Sequence, residues 1–300
     1  MKKIILALLP LLLFACDGGK RPDVGNLQEG IDTVKSDEPK ISDEVIGDII
    51  QQIPSPLEIS VLLKKVGTEY DKTLLNQEEN TPKYNSNYKK ALNLGIYGTD
   101  LGYTNIYEQN QDALFYLKSI RELADGLSIG QFFDFGTIQR LATNSRNLDS
   151  LLLITTQNFN NINHYLQEQK RSNLSILLLT GGWLEALHIS CQVLETSPGN
   201  KELEDKIGEQ KIILENIMLL LNFYGNSDPS IQRLMQKLRR LKDKYDEVQI
   251  EYIYEESEYK VDENGQLIII DKSRSEIKIT PEQIQEITEI VKAIREEIIS

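Results

Sequence analysis

The amino-acid sequence predicts a mainly α-helical fold, an antiparallel multi-helix bundle or array with a small β-hairpin and a terminal helix at its carboxyl end. Apolar residues recur at helical spacing, in segments joined by short turns, from residue 56 to residue 248. Residues 173–194 are apolar on nearly every side, as expected of a helix at the centre of such a bundle. After residue 248 the pattern changes to the alternation of β-strands.

The composition limits the classes of partner. The 300 residues are 40% hydrophobic, which is enough for one large helical domain or two smaller ones. The net charge of -13 argues against nucleic acid and against an anionic lipid surface as partners. Two cysteines and two histidines leave little material for nucleophile–histidine chemistry, and no cofactor is predicted.

The first sixteen residues carry the most specific signal in the chain. Lys2 and Lys3 precede an apolar stretch, residues 4–14, which is too short to span a bilayer, and the run Leu13-Phe14-Ala15-Cys16 closes it. This run resembles the lipobox of bacterial lipoproteins, in which the cysteine is diacylated and the preceding peptide is removed. The resemblance implies that residues 1–15 are a signal peptide and that Cys16 carries the lipid anchor. The alternative is an ordinary secretory leader with a cysteine by chance.

Lipidation of Cys16 has two consequences. Two acyl chains suffice for stable anchoring, so the membrane is an expected partner. Cys191 would remain as the only thiol, and we predict that it is a small buried hydrophobe. Residues 16–55 then form the lipidated cysteine and a flexible tether rich in Gly, Asp, Lys and Pro, with a short helix over residues 42–52.

Turn residues divide the helical domain, residues 56–248. Pro56 opens its first helix, Gly130 ends a later one, and the runs 197–200 and 225–229 are strong turns. Helices are predicted over residues 57–70, 87–109, 111–127, 131–142, 145–170, 173–194, 202–224 and 230–248.

The carboxyl-terminal tail, residues 249–300, combines strands with a helix and is expected to pack on the helical domain. A strand over 249–254 precedes a hairpin of 259–261 and 266–270 around Asn264-Gly265, and 276–279 is a candidate third strand. The last helix runs to about residue 299, with Thr280 as its N-cap, Pro281 as its first residue and Gln283 completing a capping box.

The central apolar segment has two interpretations. It is long enough to span a bilayer, but it carries the ionisable residues Glu185 and His188 in its middle, where a membrane would penalise them. We therefore favour a buried core helix.

Small residues line this segment and an earlier helix. Gly95, Gly98 and Gly102 share one stripe of the earlier helix, and Gly182 and Ala186 share one stripe of the central helix. Glycine in a helix costs about 1 kcal/mol relative to alanine, and close approach of another helix is the usual compensation. The stripes predict that the two helices cross in close contact. A phosphate-binding loop is rejected, because no strand precedes the glycines and no Lys-Ser/Thr follows them.

A candidate polar core site combines Glu185 and His188 with Asp100 and Tyr103. Glu185 and His188 lie one helical turn apart, at the spacing used by di-iron carboxylate bundles. Such a site needs a second Glu-x-x-His motif, and His164, the only other histidine, has no Glu three residues before it. Glu185 and His188 are therefore only a weak metal candidate, and a hydrogen-bonded structural pair is the simpler interpretation. Asp100 and Tyr103 form either a capped carboxylate or one wall of a ligand pocket.

Four runs carry a wider resemblance: PSPLEISVLLKKVG from residue 54, YKKALNLGIYGTDLGY from 88, IGQFFDFGTIQRLATNSRNLDSLLLITT from 129 and SNLSILLLTGGWLEALHIS from 172. They resemble uncharacterised all-helical envelope lipoproteins of Bacteroidota. The resemblance implies a cell-envelope location and a helical fold, with no catalytic residues. Asp17-Gly18-Gly19-Lys20 lacks the acidic run of a surface-export signal. The periplasmic face of the outer membrane is therefore favoured, with the inner membrane as the alternative.

Two functions follow. The first is a non-enzymatic, membrane-anchored binding or structural protein with an unidentified protein or small-ligand partner. The second is a metal- or ligand-dependent enzyme with its site near Glu185, His188 and Asp100. The first is favoured, because no complete catalytic set is present in the sequence.

Overall fold

The computed structural model describes residues 49, 63, 67–142, 148–225, 227–255, 258–261, 267–270 and 273–300. All of them belong to the larger of the two units into which the chain divides, residues 41–300. The α-helices are α1 (Asn87–Ile106), α2 (Asn110–Gly126), α3 (Phe135–Ala142), α4 (Leu148–Glu168), α5 (Ser172–Thr196), α6 (Lys201–Gly225), α7 (Pro229–Tyr245) and α8 (Pro281–Ile299). The strands are β1 (Gln249–Ile253), β2 (Glu258–Val261), β3 (Leu267–Ile270) and β4 (Arg274–Lys278). The predicted fold class, mainly α with a small hairpin and a terminal helix, is confirmed.

Helix α5 is the centre of the fold. It packs against α1, α4, α6 and α8, so that protein covers it on all sides. Among the described residues it is the one helix long and apolar enough to cross a membrane, but 94% of that apolar stretch is buried inside the protein. The prediction of a buried core helix is confirmed.

Helices α1 and α5 approach at backbone distance. A Cβ atom on Gly95 would lie 2.0 Å from the carbonyl oxygen of Leu178 and 2.6 Å from the amide nitrogen of Gly182. A Cβ on Gly181 would lie 2.0 Å from the carbonyl oxygen of Leu92. Only glycine fits at these two positions, so the predicted close crossing is confirmed.

The predicted glycine stripes agree only in part with the observed helix contacts. Gly98 has nothing within 4 Å of a hypothetical Cβ, so close packing does not require glycine there. Gly181, which the predicted stripe omitted, is a glycine of α5 whose hypothetical Cβ would meet the backbone of α1. Gly102 and Ala186 are buried in the same two helices.

Two predicted helices differ from those observed. Residues 68–71 are not helical, and Gly67 has a positive φ of 76°, so a helix over 57–70 cannot extend to Tyr70. The predicted helix over 131–142 is divided into a 3-10 turn, Gly130–Phe132, and helix α3. Asp134 precedes α3 and caps its start, because its side chain accepts a hydrogen bond from the backbone amide of Thr137. The signal peptide, Cys16 and the tether lie outside the described residues, and of the predicted helix over 42–52 only Ile49 is described, as helical.

Helix α8 packs on α5 and α7, and both of its ends are capped. At its start the predicted capping box of Thr280 and Gln283 is present. At its end, where carbonyl groups lack partners within the helix, the Asn93 amide donates to the carbonyl of Ile298, and the Tyr84 hydroxyl donates to that of Ile299. These bonds hold the last turn of α8 against α1.

Strands β1 to β4 form two separate two-stranded sheets, which we together call the β-ribbon. β1 pairs antiparallel with β4, from Gln249 opposite Lys278, and β2 pairs antiparallel with β3, from Glu258 opposite Ile270. The antiparallel pairing of β2 with β3 is that of the predicted hairpin, and its Asn264-Gly265 turn lies outside the described residues. Ile277 of β4 packs on Gly208 of α6, which joins the base of the ribbon to the bundle.

Replacement of Gly95 by alanine should test the close crossing. Gly95→Ala should lower the free energy of unfolding by about 1–3 kcal/mol or more, because the methyl group meets backbone atoms that cannot move aside. Gly98→Ala is the matched control on the same helix, and should be neutral or stabilising by up to about 1 kcal/mol. Urea unfolding followed by circular dichroism measures both. Equal stability of the two variants would contradict the packing.

Candidate functional site

A buried ion pair joins α5 to α8. The guanidinium of Arg295 donates from Nε to Glu185 Oε2 and from Nη2 to Glu185 Oε1, each at 2.6 Å. The Glu185 side chain is fully buried, and that of Arg295 is 7% exposed. Burial works against the charged guanidinium, but the neighbouring Glu185 outweighs this effect, so that the pKa of Arg295 rises above its ordinary value. Charge-assisted, two-point pairing of this kind is what makes a buried charge tolerable.

Asp100 extends this pair into a row of three groups. It is fully buried on α1, and its Oδ2 accepts a hydrogen bond from the amide of Asn76 at 3.2 Å. Its Oδ1 has no donor facing it among the described residues, while the carboxylate of Glu185 lies within hydrogen-bonding reach. Two buried carboxyl groups in contact cannot readily both be charged.

The pKa shift of Asp100 favours its protonated form. Burial, followed by the neighbouring Glu185, raises the pKa of Asp100 well above its ordinary value, and Arg295 and the Asn76 amide only partly oppose the shift. We infer that Asp100 is neutral and donates its O–H to Glu185. Negative Glu185 and positive Arg295 then leave the interior without net charge.

His188 lies next to the ion pair but does not form the predicted pair with Glu185. It is 5% exposed, and its Nδ1 has no hydrogen-bond partner among the described residues. Burial lowers the pKa of His188 to about 4, although the nearby Glu185 and a hydrogen bond to the carbonyl of Leu74 favour the charged form. The imidazole is therefore neutral at pH 7. We call Asp100, Glu185, His188 and Arg295 the polar core cluster.

The segment before α1 covers this cluster with backbone groups. The carbonyl of Leu74 accepts a hydrogen bond from Arg295 Nη2 at 2.9 Å, and the amide of Asn76 donates to Asp100. The Asn76 side chain in turn donates to Tyr84 and Asn93, which fixes the segment on α1. Residues 71–77 therefore act as a cover that is hydrogen-bonded to side chains of α1 and α8.

Tyr103 lies outside the polar core cluster, contrary to prediction. Its hydroxyl accepts a hydrogen bond from the amide of Asp71, and its ring packs against those of Tyr70 and Tyr107. Asp100 contacts Glu185 and Asn76 instead, so the two residues do not share a ligand-binding wall. Tyr116 was not predicted. Its buried hydroxyl has no partner among the described residues, and burial raises its pKa.

Arg295 is the functional residue that sequence reasoning missed. On α8 the apolar residues Ile287, Val291 and Ile298 face the core. Arg295 falls four residues after Val291, on the same face, and a basic residue on an apolar stripe indicates a buried acidic partner. The carboxylates of α1 and α5 supply that partner.

The geometry gives a metal ion little room. Both carboxylate oxygens of Glu185 are occupied by Arg295, so a cation would have to displace a guanidinium. Within the described ranges, no group of three or more His, Cys, Asp or Glu side chains could hold a metal. Cys191 is buried, and burial raises the pKa of its thiol to about 12, as the prediction of an inert hydrophobe requires.

Comparison with known proteins adds no function. The chain matches no protein-family model, and neither a curated protein nor a solved structure is similar to it. Inference about its function therefore rests on its own residues.

Loss of one partner should expose the energetic role of the ion pair. Arg295→Met should lower the free energy of unfolding by about 3–5 kcal/mol, because Glu185 would stay buried and unpaired. The double variant Glu185→Leu with Arg295→Met should recover most of this loss, since no buried charge remains. Lys206→Met, which breaks an exposed ion pair with Glu209, is the control and should change stability by less than about 1 kcal/mol. Chemical denaturation measures all three, and a double variant no better than the single one would refute the argument.

Asp100 and His188 should make the stability of the folded protein depend on pH in opposite directions. His188 has a lowered pKa, so its contribution is present above pH 6.5 and is lost as the pH falls towards 4. Asp100 has a raised pKa, so its contribution is present below the ordinary value of 3.8 and is lost as the pH rises through the folded-state pKa.

Two variants separate these contributions. Relative to the wild type, Asp100→Asn should gain stability as the pH rises from 4 to 6.5, and His188→Gln should lose stability over the same range. Asn is the matched replacement, because its amide can donate to Glu185 as the protonated acid does. Unfolding measured across this pH range gives the difference in stability between each variant and the wild type. Differences that do not change with pH would show that neither group has a shifted pKa.

Proposed function

We propose that this chain is a lipid-anchored protein of the bacterial cell envelope whose helical domain is a non-enzymatic binding or structural module. The observation that carries the proposal is the run Leu13-Phe14-Ala15-Cys16 after a basic and apolar leader. Diacylation of Cys16 would fix the mature chain to a membrane, and residues 17–40, which are polar and rich in glycine, would hold the folded part at a distance.

The polar core cluster supports a structural role for the interior. A catalytic acid or base must reach a substrate, but Asp100 and Glu185 are fully buried and His188 nearly so. Arg295 balances the charge of Glu185, and residues 71–77 cover the cluster, which is the arrangement expected of a group that fixes helix packing. The competing hypothesis, a metal- or ligand-dependent enzyme at this cluster, would need the cover to open and Arg295 to leave Glu185.

The placement of the anchor completes the proposal. The periplasmic face of the outer membrane fits the lack of an acidic run after Cys16, and the inner membrane is the alternative. On either membrane the partner would meet the outer surface of the helical domain. The strongly acidic chain favours a protein or small-ligand partner over nucleic acid.

Fatty-acid labelling should test the anchor directly. The full-length chain, expressed in a bacterium supplied with an alkyne-tagged palmitate analogue, should incorporate the label, and Cys16→Ser should lose it. Cys191→Ser is the control and should keep the label, because Cys191 is buried. Gel fluorescence after coupling to a dye gives the readout, together with the mass of the amino-terminal peptide. Unlabelled protein that is cleaved elsewhere would support the ordinary secretory leader instead.

A further inference from the structure

A line of exposed apolar side chains runs along the outer side of α6. Ile212, Leu219 and Phe223 are 48%, 46% and 36% exposed, respectively. At about 100° per residue they lie within about 40° of one another, opposite the buried residues Leu214 and Leu221. A helix that packs one side on a core normally carries polar residues on the other side, so this line indicates a contact surface.

The neighbouring helix α7 adds basic residues that the protein itself does not neutralise. Its three lysines, Lys237, Lys242 and Lys244, each form an ion pair within the protein. Arg239 and Arg240 are exposed and form no ion pair with any residue that the structure describes. A guanidinium group is well suited to bind a carboxylate or phosphate outside the protein.

The apolar line and Arg239 lie on the same side of the α6 and α7 pair. Glu215 of α6 acts electrostatically on Lys242 of α7, so the outer sides of the two helices meet there. Leu219 follows Glu215 by one turn, and Arg239 precedes Lys242 by one turn. We call the apolar line together with Arg239 the outer α6–α7 face. Amide side chains border it: Asn216, Asn222, Gln232 and Gln236.

We propose that the outer α6–α7 face lies against the lipid bilayer to which the chain is anchored. Leu219 and Phe223 enter the boundary between headgroups and acyl chains, and Arg239 pairs with a lipid phosphate. This inference rests on the proposed function, because the lipid on Cys16 is what keeps a bilayer within reach.

The anchor and the size of the face favour a bilayer over a protein partner. A flexible tether of the length of residues 17–40 has a mean span of about 25–30 Å, so the helical domain meets the bilayer at a high effective concentration. A weak contact is then sufficient. A stable protein interface buries about 800 Å² per partner, which is far more than three partly exposed apolar side chains provide.

The negative charge of the chain does not oppose this contact, because the outer α6–α7 face carries little of it. From residue 212 to residue 225, Glu215 is the only charged residue, and it lies beside Lys242. Asp243 is the one acidic residue of α7. Insertion of apolar side chains requires no anionic lipid, so a zwitterionic bilayer is the appropriate probe.

Quenching of a fluorescent dye by lipid tests the orientation. The mature chain, residues 16–300 with Cys16→Ser, is held on phosphatidylcholine vesicles by an amino-terminal His tag and a nickel-chelating lipid. An environment-sensitive dye is attached at Leu219→Cys, and nitroxide-labelled lipids are the quenchers. Leu153→Cys on α4 is the matched control, because Leu153 is also an exposed leucine, at 60%. Cys191 is buried and escapes labelling.

The dye at Leu219 should be quenched, most strongly by nitroxides near the headgroups, since the expected depth is only about 5–10 Å. The dye at Leu153 should not be quenched. No quenching at Leu219, or equal quenching at both positions, would overturn the proposal. A blue shift at Leu219 without quenching would show that protein covers the face, and would overturn it too. The His tag replaces acylation, so the result is independent of the labelling test on Cys16.

Substitution within the face gives a second readout on the same vesicles. With the dye moved to Ile212→Cys, the pair Leu219→Asp and Phe223→Asp should abolish quenching, because charged side chains do not enter the acyl boundary. Leu153→Asp is the control and should leave the quenching unchanged. Circular dichroism checks that each variant is folded. Quenching that persists in the paired variant would exclude Leu219 and Phe223 as the residues that contact lipid.

Discussion

The close approach of α1 and α5 is the constraint on which the rest of the interior depends. Gly95 and Gly181 let the two backbones meet, and no larger residue fits at either position. At this separation Asp100 of one helix reaches Glu185 of the other. The interior therefore acquires two carboxyl groups in contact, which is an unfavourable arrangement unless a proton and a positive charge are supplied. The proton on Asp100 and the guanidinium of Arg295 supply them.

The polar core cluster needs residues from the segment before α1 as well as from α8. Arg295 comes from α8, and the covering carbonyl of Leu74 comes from the segment before α1. An apolar core tolerates many exchanges of one side chain for another. The hydrogen bonds of the polar core cluster, in contrast, require one arrangement of α1, α5, α8 and the covering residues 71–77. Buried polar groups of this kind can add specificity of packing even where they add little net stability.

The sequence predicted the framework because the framework depends on local signals. Helical periodicity, the Thr280 capping box and the pattern change after residue 248 were each visible without knowledge of the fold. The glycine stripes also predicted which helices meet, since a glycine inside a helix needs a compensating contact. Gly98 was assigned wrongly because spacing identifies a face of the helix but does not show how far along it the neighbour stays in contact.

The polar core cluster was only half predictable. Burial of Glu185 and His188 followed from their place in an apolar helix, but the choice of partner depended on contacts between distant residues. Arg295 lies 110 positions after Glu185, and no spacing rule connects them. The hydrogen bonds of Asn76 and Leu74 come from backbone groups, which every residue carries, so side-chain identity could not reveal them.

The order of Asp100, Glu185 and Arg295 along the chain has a consequence for biogenesis. A ribosome makes α1 and α5 long before it makes α8, so a nascent chain holds Asp100 and Glu185 without their counter-charge. The counter-charge arrives only when α8 has emerged, and the bonds from Asn93 and Tyr84 to the final turn of α8 then hold it against α1. Chains that stop before α8 would therefore keep the two carboxyl groups without Arg295, and we expect them to remain open and accessible to proteases.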